Sequence, residues 1–102
     1  MIDIDTLRQL CNNNRIKWSE HVALRMLRRR ITKQQVIAAI NDGRIIEQYP
    51  DDYPFPSCLI LHIDGQALHV VCGLAPSDVW IITAYYPGLD KWEPDMKTRR
   101  RL

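Results

Sequence analysis

No apolar run in the chain approaches the roughly 18 residues that a membrane-spanning helix needs, and the opening Met-Ile-Asp-Ile-Asp is acidic where a secretory leader is basic. A cytoplasmic protein with no membrane association is expected. The three cysteines, Cys11, Cys58 and Cys72, cannot all pair within one chain and show no C-x-x-C spacing. Reduced, buried thiols are therefore expected rather than a disulfide framework or a thiolate metal site. Also missing are a P-loop, a G-x-G-x-x-G turn, a G-x-S-x-G elbow and an H-E-x-x-H helix, the minimal parts of nucleotide hydrolysis, dinucleotide chemistry, serine hydrolysis and zincin proteolysis. The carboxylates fall mainly in loop segments and form no paired set for a two-metal nuclease. No metal and no cofactor are expected.

The 102 residues are 46% hydrophobic and 25% charged, an ordinary globular composition for a single domain over 1–102. The net charge of +2 conceals a segregation. Met1 to Arg44 holds nine Lys/Arg against four Asp/Glu, Ile45 to Met96 one against eight, and the tail 97–102 four against none. Basic charge gathered at the two ends of a chain suits a polyanionic partner at one part of the surface, or equally a solvated helix face.

Local signals give helices first and strands after. Asp3 caps a first helix to about Asn13, with Ile2 and Leu7 as its hydrophobic staple. Ser19 caps a second helix that runs to Arg29 or Arg30 and carries Glu20 in its first turn. Thr32 and Gln35 form a capping box for a third, which Asp42-Gly43 stops. The pattern then turns extended, with strands over Arg44 to Tyr49, Ser57 to Ile63, Gln66 to Gly73 and Val79 to Tyr86. Asp64-Gly65 reads as a two-residue hairpin turn, which would set Leu61 opposite Leu68 and Leu59 opposite Val70 on the core face. His62 and His69 would then be diagonal neighbours on the other face. On the fourth strand, Thr83 and Tyr85 share one face, with Trp80, Ile82, Ala84 and Tyr86 on the opposite one. The whole is an α+β domain.

Chemistry concentrates in three places. His21, Arg25 and Arg28 share one polar stripe of the second helix at helical spacing, a proton-transfer group beside permanent cations or simply a solubilised face. Tyr85 closes the last strand, where a phenol donates to phosphate or caps a core. Trp92 is expected to anchor the tail against the domain, and Lys97 to Arg101 is suited to phosphate contacts or to an acidic protein.

The run Trp18-Ser-Glu-His21-Val-Ala-Leu-Arg25-Met26, then Arg30-Ile31-Thr32, Gly43-Arg-Ile-Ile-Glu47-Gln-Tyr49-Pro50, Leu68-His69-Val70-Val71, and Thr83-Ala-Tyr85-Tyr-Pro87 with Lys91-Trp92 resembles a bacterial domain-of-unknown-function family of small proteins. That family is related to the RelE-like toxins, a superfamily that includes the BrnT and MqsR types. The resemblance covers roughly Lys17 to Lys97 and matches the family at His21, Arg25, Met26, Glu47, His69, Thr83 and Tyr85. It implies a RelE-like fold, with N-terminal helices on one face of a curved, mainly antiparallel four-stranded sheet. It also implies a toxin paired with a small antitoxin protein, acting on messenger RNA as a metal-independent endoribonuclease.

Taken together, the residues and the resemblance point to attack by the RNA's own 2′-hydroxyl on the adjacent phosphate, which needs neither metal nor protein nucleophile. His21 or His69 would move protons, Arg25 and Tyr85 would complete the catalytic set, and Arg28, Arg29, Thr83, Lys91 and Arg99 would hold the substrate. The competing classes are a non-catalytic RNA-binding or antitoxin-interaction module and a regulatory partner whose sheet edge another chain completes.

Overall fold

The computed structural model describes residues 1–101 as one α+β unit: α1 (Ile4–Asn12), β1 (Ile16–Trp18), α2 (Glu20–Arg28), α3 (Lys33–Asp42), β2 (Arg44–Tyr49), β3 (Ser57–Asp64), β4 (Gln66–Leu74) and β5 (Val79–Tyr85). Among these residues no helix is long and apolar enough to cross a membrane.

Each helix begins where a side chain satisfies the free amides of a first turn. The Asp3 carboxylate accepts from the Asp5 amide, and Ser19 Oγ accepts from the Val22 amide. Thr32 and Gln35 complete the reciprocal capping box of α3. Arg8 fastens α1 to the end of α3, donating to the Ile40 carbonyl at 3.0 Å and the Gly43 carbonyl at 2.9 Å. The buried side chains of the three helices, among them Leu7, Val22, Met26, Val36 and Ile40, form one cluster with Cys58, Ile60, Leu68, Val70, Cys72, Ile81 and Ala84 of the sheet.

The sheet departs from expectation in three respects. It has five strands in the order β1-β5-β4-β3-β2 and is mixed, because β1 pairs parallel with β5. A strand of three residues between an Asn run and a helix cap is too short to show an alternation, which is why the sequence pattern shows only four. Second, the hairpin register places Ile63 opposite Ala67 and Leu61 opposite His69. Asp64 pairs with Gln66, so Gly65 alone, at φ 73, lies between the two strands, and a slip of one residue exchanges the faces of a strand. Cys58, Ile60 and His62 therefore face the helices, while Leu59, Leu61 and Ile63 share the other face with His69. The two histidines lie on opposite sides of the sheet. Third, a bulge at Ile82, between Ile81 opposite Cys72 and Thr83 opposite Val71, brings Trp80 onto the same face as Thr83 and Tyr85.

That second face carries its own buried layer of Leu59, Leu61 and His69, closed by Trp92. The cover is the tail, which folds back on itself through the Glu93 amide to Thr98 carbonyl and Arg100 amide to Lys91 carbonyl bonds and a bridge between Trp92 and Arg99. Leu102 lies outside the described residues.

Gly43 joins α3 to β2 at a close backbone approach. A Cβ there would stand 2.7 Å from the Leu61 carbonyl oxygen and collide with that of Ala39, neither of which can rotate away. Gly43→Ala is expected to cost about 3 kcal/mol, the upper end of overpacking penalties, read as a lower denaturant midpoint at unchanged slope.

Candidate functional site

His69 sits in the middle of β4, fully buried, directly opposite Tyr85 of β5. Its Nε2 lies 2.6 Å from the Met96 carbonyl and its Nδ1 3.2 Å from the Tyr85 hydroxyl. A carbonyl oxygen only accepts, so Nε2 carries the proton and Nδ1 accepts from the Tyr85 hydroxyl. The neutral ring thus has both nitrogens satisfied. Burial holds its pKa below the ordinary 6.5, against the opposing bond to Met96 and the charge of Glu47, so His69 is an unprotonated acceptor at neutral pH. Tyr85 meets it edge to face at 5.2 Å between centroids, and Trp92 at 4.5 Å.

The tail presents Met96 at a left-handed φ of 60. Asp95 fixes this corner, its carboxylate accepting from the Lys97 and Thr98 amides, both at 2.9 Å, and from the Thr98 hydroxyl at 2.7 Å. Arg99 lies over the Trp92 ring at 4.7 Å and donates twice to Glu47, at 2.9 and 3.0 Å. Partial burial pushes the Glu47 carboxyl up, but the bonds from Arg99 and Tyr49 outweigh it and hold its pKa below 4.5. The Tyr49 hydroxyl also donates to Glu47, and burial together with that carboxylate pushes Tyr49 up to about 12. Burial likewise raises the Tyr85 pKa, so the hydroxyl facing His69 is protonated at neutral pH.

Beside this dyad opens a cleft of about 670 Å³, walled by Tyr85, Tyr86 and Trp92 and carrying Arg29, Lys91 and Arg99. Asp90 is the one carboxylate among the described residues that line it. Arg29 reaches over from the end of α2, donating to Thr83 Oγ1 at 3.3 Å and to the Ala84 carbonyl at 2.9 Å. Both acceptors are uncharged, so the guanidinium keeps its full charge for a ligand. The cleft offers what a phosphodiester requires: cations for the phosphate, aromatic faces for bases, and a hydroxyl backed by a proton acceptor.

Of the expected catalytic residues the structure unites His69 and Tyr85 and separates His21 and Arg25 from them. The latter two are exposed on α2, in the layer packed on the helix-covered face, and do not line the cleft. Of the expected substrate residues, Arg29, Lys91 and Arg99 line it, Thr83 positions Arg29, and Arg28 stays on the outer surface of α2. The sequence pattern carries no site signal for Tyr49 or the Met96 carbonyl, marks Trp92 only as an anchor for the tail, and matches Glu47 without a role. Glu47-x-Tyr49 at strand spacing does put both side chains on one face, but their partner lies 50 residues away in a tail with no periodicity. Among the described residues no three His, Cys, Asp or Glu side chains come together as a metal-ligand set. The thiols are buried and free, and burial raises the pKa of all three.

Residues 18–86 match the family described as a domain of unknown function (DUF4258), and the chain belongs to that family. The matched span holds Arg29, Glu47, His69, Thr83 and Tyr85, whereas Lys91, Trp92, Met96 and Arg99 lie beyond it. No curated protein and no solved structure matches the chain.

Trp92 is the lid on the imidazole, so Trp92→Ala should return the His69 pKa upward toward 6.5 and cost about 3–5 kcal/mol of stability. Ring-nitrogen NMR titrations of wild type and variant check the shift. The unfolded chain takes up this proton at 6.5 and the native one only at lower pH. The native state is therefore favoured above 6.5 and loses stability as the pH falls from there through the folded pKa. In His69→Gln that loss should be absent.

Proposed function

We propose that this chain is a metal-independent endoribonuclease, and that it acts in the cytoplasm as the toxin of a toxin–antitoxin pair with a small protein antitoxin. The observation that carries the chemistry is the Tyr85 hydroxyl, which donates to a buried neutral His69 at the wall of a cleft that also holds Arg29, Lys91 and Arg99. The toxin role and the RelE-like grouping are supported by the sequence resemblance and by the arrangement of helices on one face of the sheet.

In this reading the 2′-hydroxyl of the RNA attacks the adjacent phosphorus. Its proton passes to the Tyr85 oxygen as the Tyr85 proton moves to His69 Nδ1, and the bond to the 5′ oxygen breaks. The leaving oxygen takes a proton from water, and the hydroxide so formed is neutralised as His69 Nδ1 returns its proton to Tyr85 and Tyr85 releases one to solvent, which restores the neutral pair and leaves a 2′,3′-cyclic phosphate and a 5′-hydroxyl. The imidazolium formed in passing is stabilised by the Glu47 charge, and Arg29 and Arg99 stabilise the added negative charge on the phosphate. His69 touches no substrate and acts through Tyr85. The stripe of His21, Arg25 and Arg28 lies outside this constellation.

The test is cleavage of a single-stranded RNA in excess chelator, with matched DNA as control. DNA lacks the 2′-hydroxyl and should survive. Tyr85→Phe keeps the ring and should lower the rate about 100-fold or more, the usual contribution of a proton-transfer group, while RNA affinity stays within about threefold. His21→Ala should cleave as wild type does. A Tyr85→Phe variant with undiminished turnover defeats the mechanism, and RNA binding without turnover in the wild type favours a binding module.

A further inference from the structure

A second, smaller cavity of about 310 Å³ lies on the other side of Tyr86, which lines both it and the Arg29 cleft. Gln34 and Gln35 of α3 form one wall, and His62, Asp64 and Gln66 of the β3–β4 hairpin form the other. The floor is apolar, made by the buried Leu68 and by Ala38.

The polar groups here divide by employment. Gln35 is committed, accepting from the Thr32 amide at 2.7 Å and donating to the Tyr86 hydroxyl at 3.2 Å. Tyr86 is itself held, its hydroxyl directed to the Arg30 carbonyl at 3.4 Å, so the ring dividing the two cavities is fixed by α3 and by the turn that follows α2. The side chains of Gln34, His62, Asp64 and Gln66, by contrast, make no hydrogen bond to another described residue. Four unspent polar groups around an apolar floor, one of them acceptor-only, match the face and edge of a nucleobase. Among the described residues this cavity carries a carboxylate and no Lys or Arg on its lining, which disfavours a phosphate, whereas the adjoining cleft sets three cations against the single carboxylate of Asp90 and favours one.

We propose that this cavity receives a base of the RNA bound in the Arg29 cleft, and that Asp64 selects bases with an exocyclic amino group. The inference rests on the RNA reading above. An ionised carboxylate accepts the amino hydrogens of adenine N6 or cytosine N4. Uracil turns a carbonyl oxygen to the same place and is repelled. Gln34 and Gln66 supply donors and acceptors for the neighbouring edge atoms, and Tyr86 separates base from phosphate.

The test uses fluorescein-labelled pentanucleotides of oligo-A, oligo-C and oligo-U, fully 2′-O-methylated so that none can be cleaved, with binding followed by anisotropy. Wild type should bind oligo-A and oligo-C about 10-fold more tightly than oligo-U, the discrimination of one well-made edge contact. Asp64→Asn gains a donor for the uracil carbonyl and is accepted at a turn position. It should bring oligo-U to within about threefold of oligo-C with an unchanged melting temperature. Equal binding of the three oligonucleotides by wild type overturns the base site and leaves the RNA reading standing, as does a ratio that Asp64→Asn does not move. Failure of all three to bind overturns both.

Discussion

Trp92 closing over His69 is the contact on which the site depends. An imidazole in the middle of a sheet, away from water, requires a partner at each nitrogen. Tyr85 supplies one from the neighbouring strand, but the other comes from the Met96 carbonyl, which the sheet alone does not provide. The tail must therefore dock before the histidine has a defined tautomer. Burying an indole removes about 200 Å² from water and is worth roughly 5 kcal/mol before the cost of ordering the tail. The Arg99–Glu47 pair, with the arginine side chain 57% exposed, is worth about 1 kcal/mol at most. Apolar burial holds the tail down, and the ion pair sets its register.

This division of labour has an electrostatic result. Arg99 shares its charge between Glu47 and the cleft, while Arg29 is anchored by uncharged oxygens and keeps its charge for a ligand. Glu47 also lies near enough to His69 to favour the imidazolium, although burial prevails and the resting ring is neutral. A resting acceptor with a nearby carboxylate is what a transient proton requires: the proton is absent at the start and stabilised when it arrives. Tyr49, pushed up to about 12 by burial and by Glu47, stays a hydrogen-bond donor to that carboxylate throughout the neutral range.

Much of this was legible in the chain, and the failures have physical causes. The caps at Ser19 and Thr32, the stop at Gly43 and the turn at Gly65 are local chemistry, and they fall where the residues place them. The faces of β3 were not legible because Ser57 to Leu61 is buried on both sides. Alternation carries no information there, and the register hangs on a turn whose length differs by one residue. The bulge at Ile82 is of the same kind. His21 and Arg25 stand out by spacing along one helix, whereas the His69–Tyr85 pair forms across strands and is completed by a tail without periodicity. Helical stripes are visible in one dimension; cross-strand sites appear only once register is known.

The shortness of β1 links the fold to the site. It covers β5 only from Val79 to Ile81, so among the described residues the outer edge of Ile82 to Tyr85 has no strand partner. Unpaired backbone at a sheet edge must find another donor, and the Ala84 carbonyl finds the Arg29 guanidinium. Arg29 is free to reach it because α2 has ended: Arg29 is its C-cap, and Arg30 follows at a left-handed φ of 58. A longer β1 would pair that carbonyl in the ladder and displace the arginine from the cleft. The feature hardest to see in the sequence, a strand of only three residues, therefore leaves open the edge through which a cation from the helical layer reaches the opposite face of the sheet.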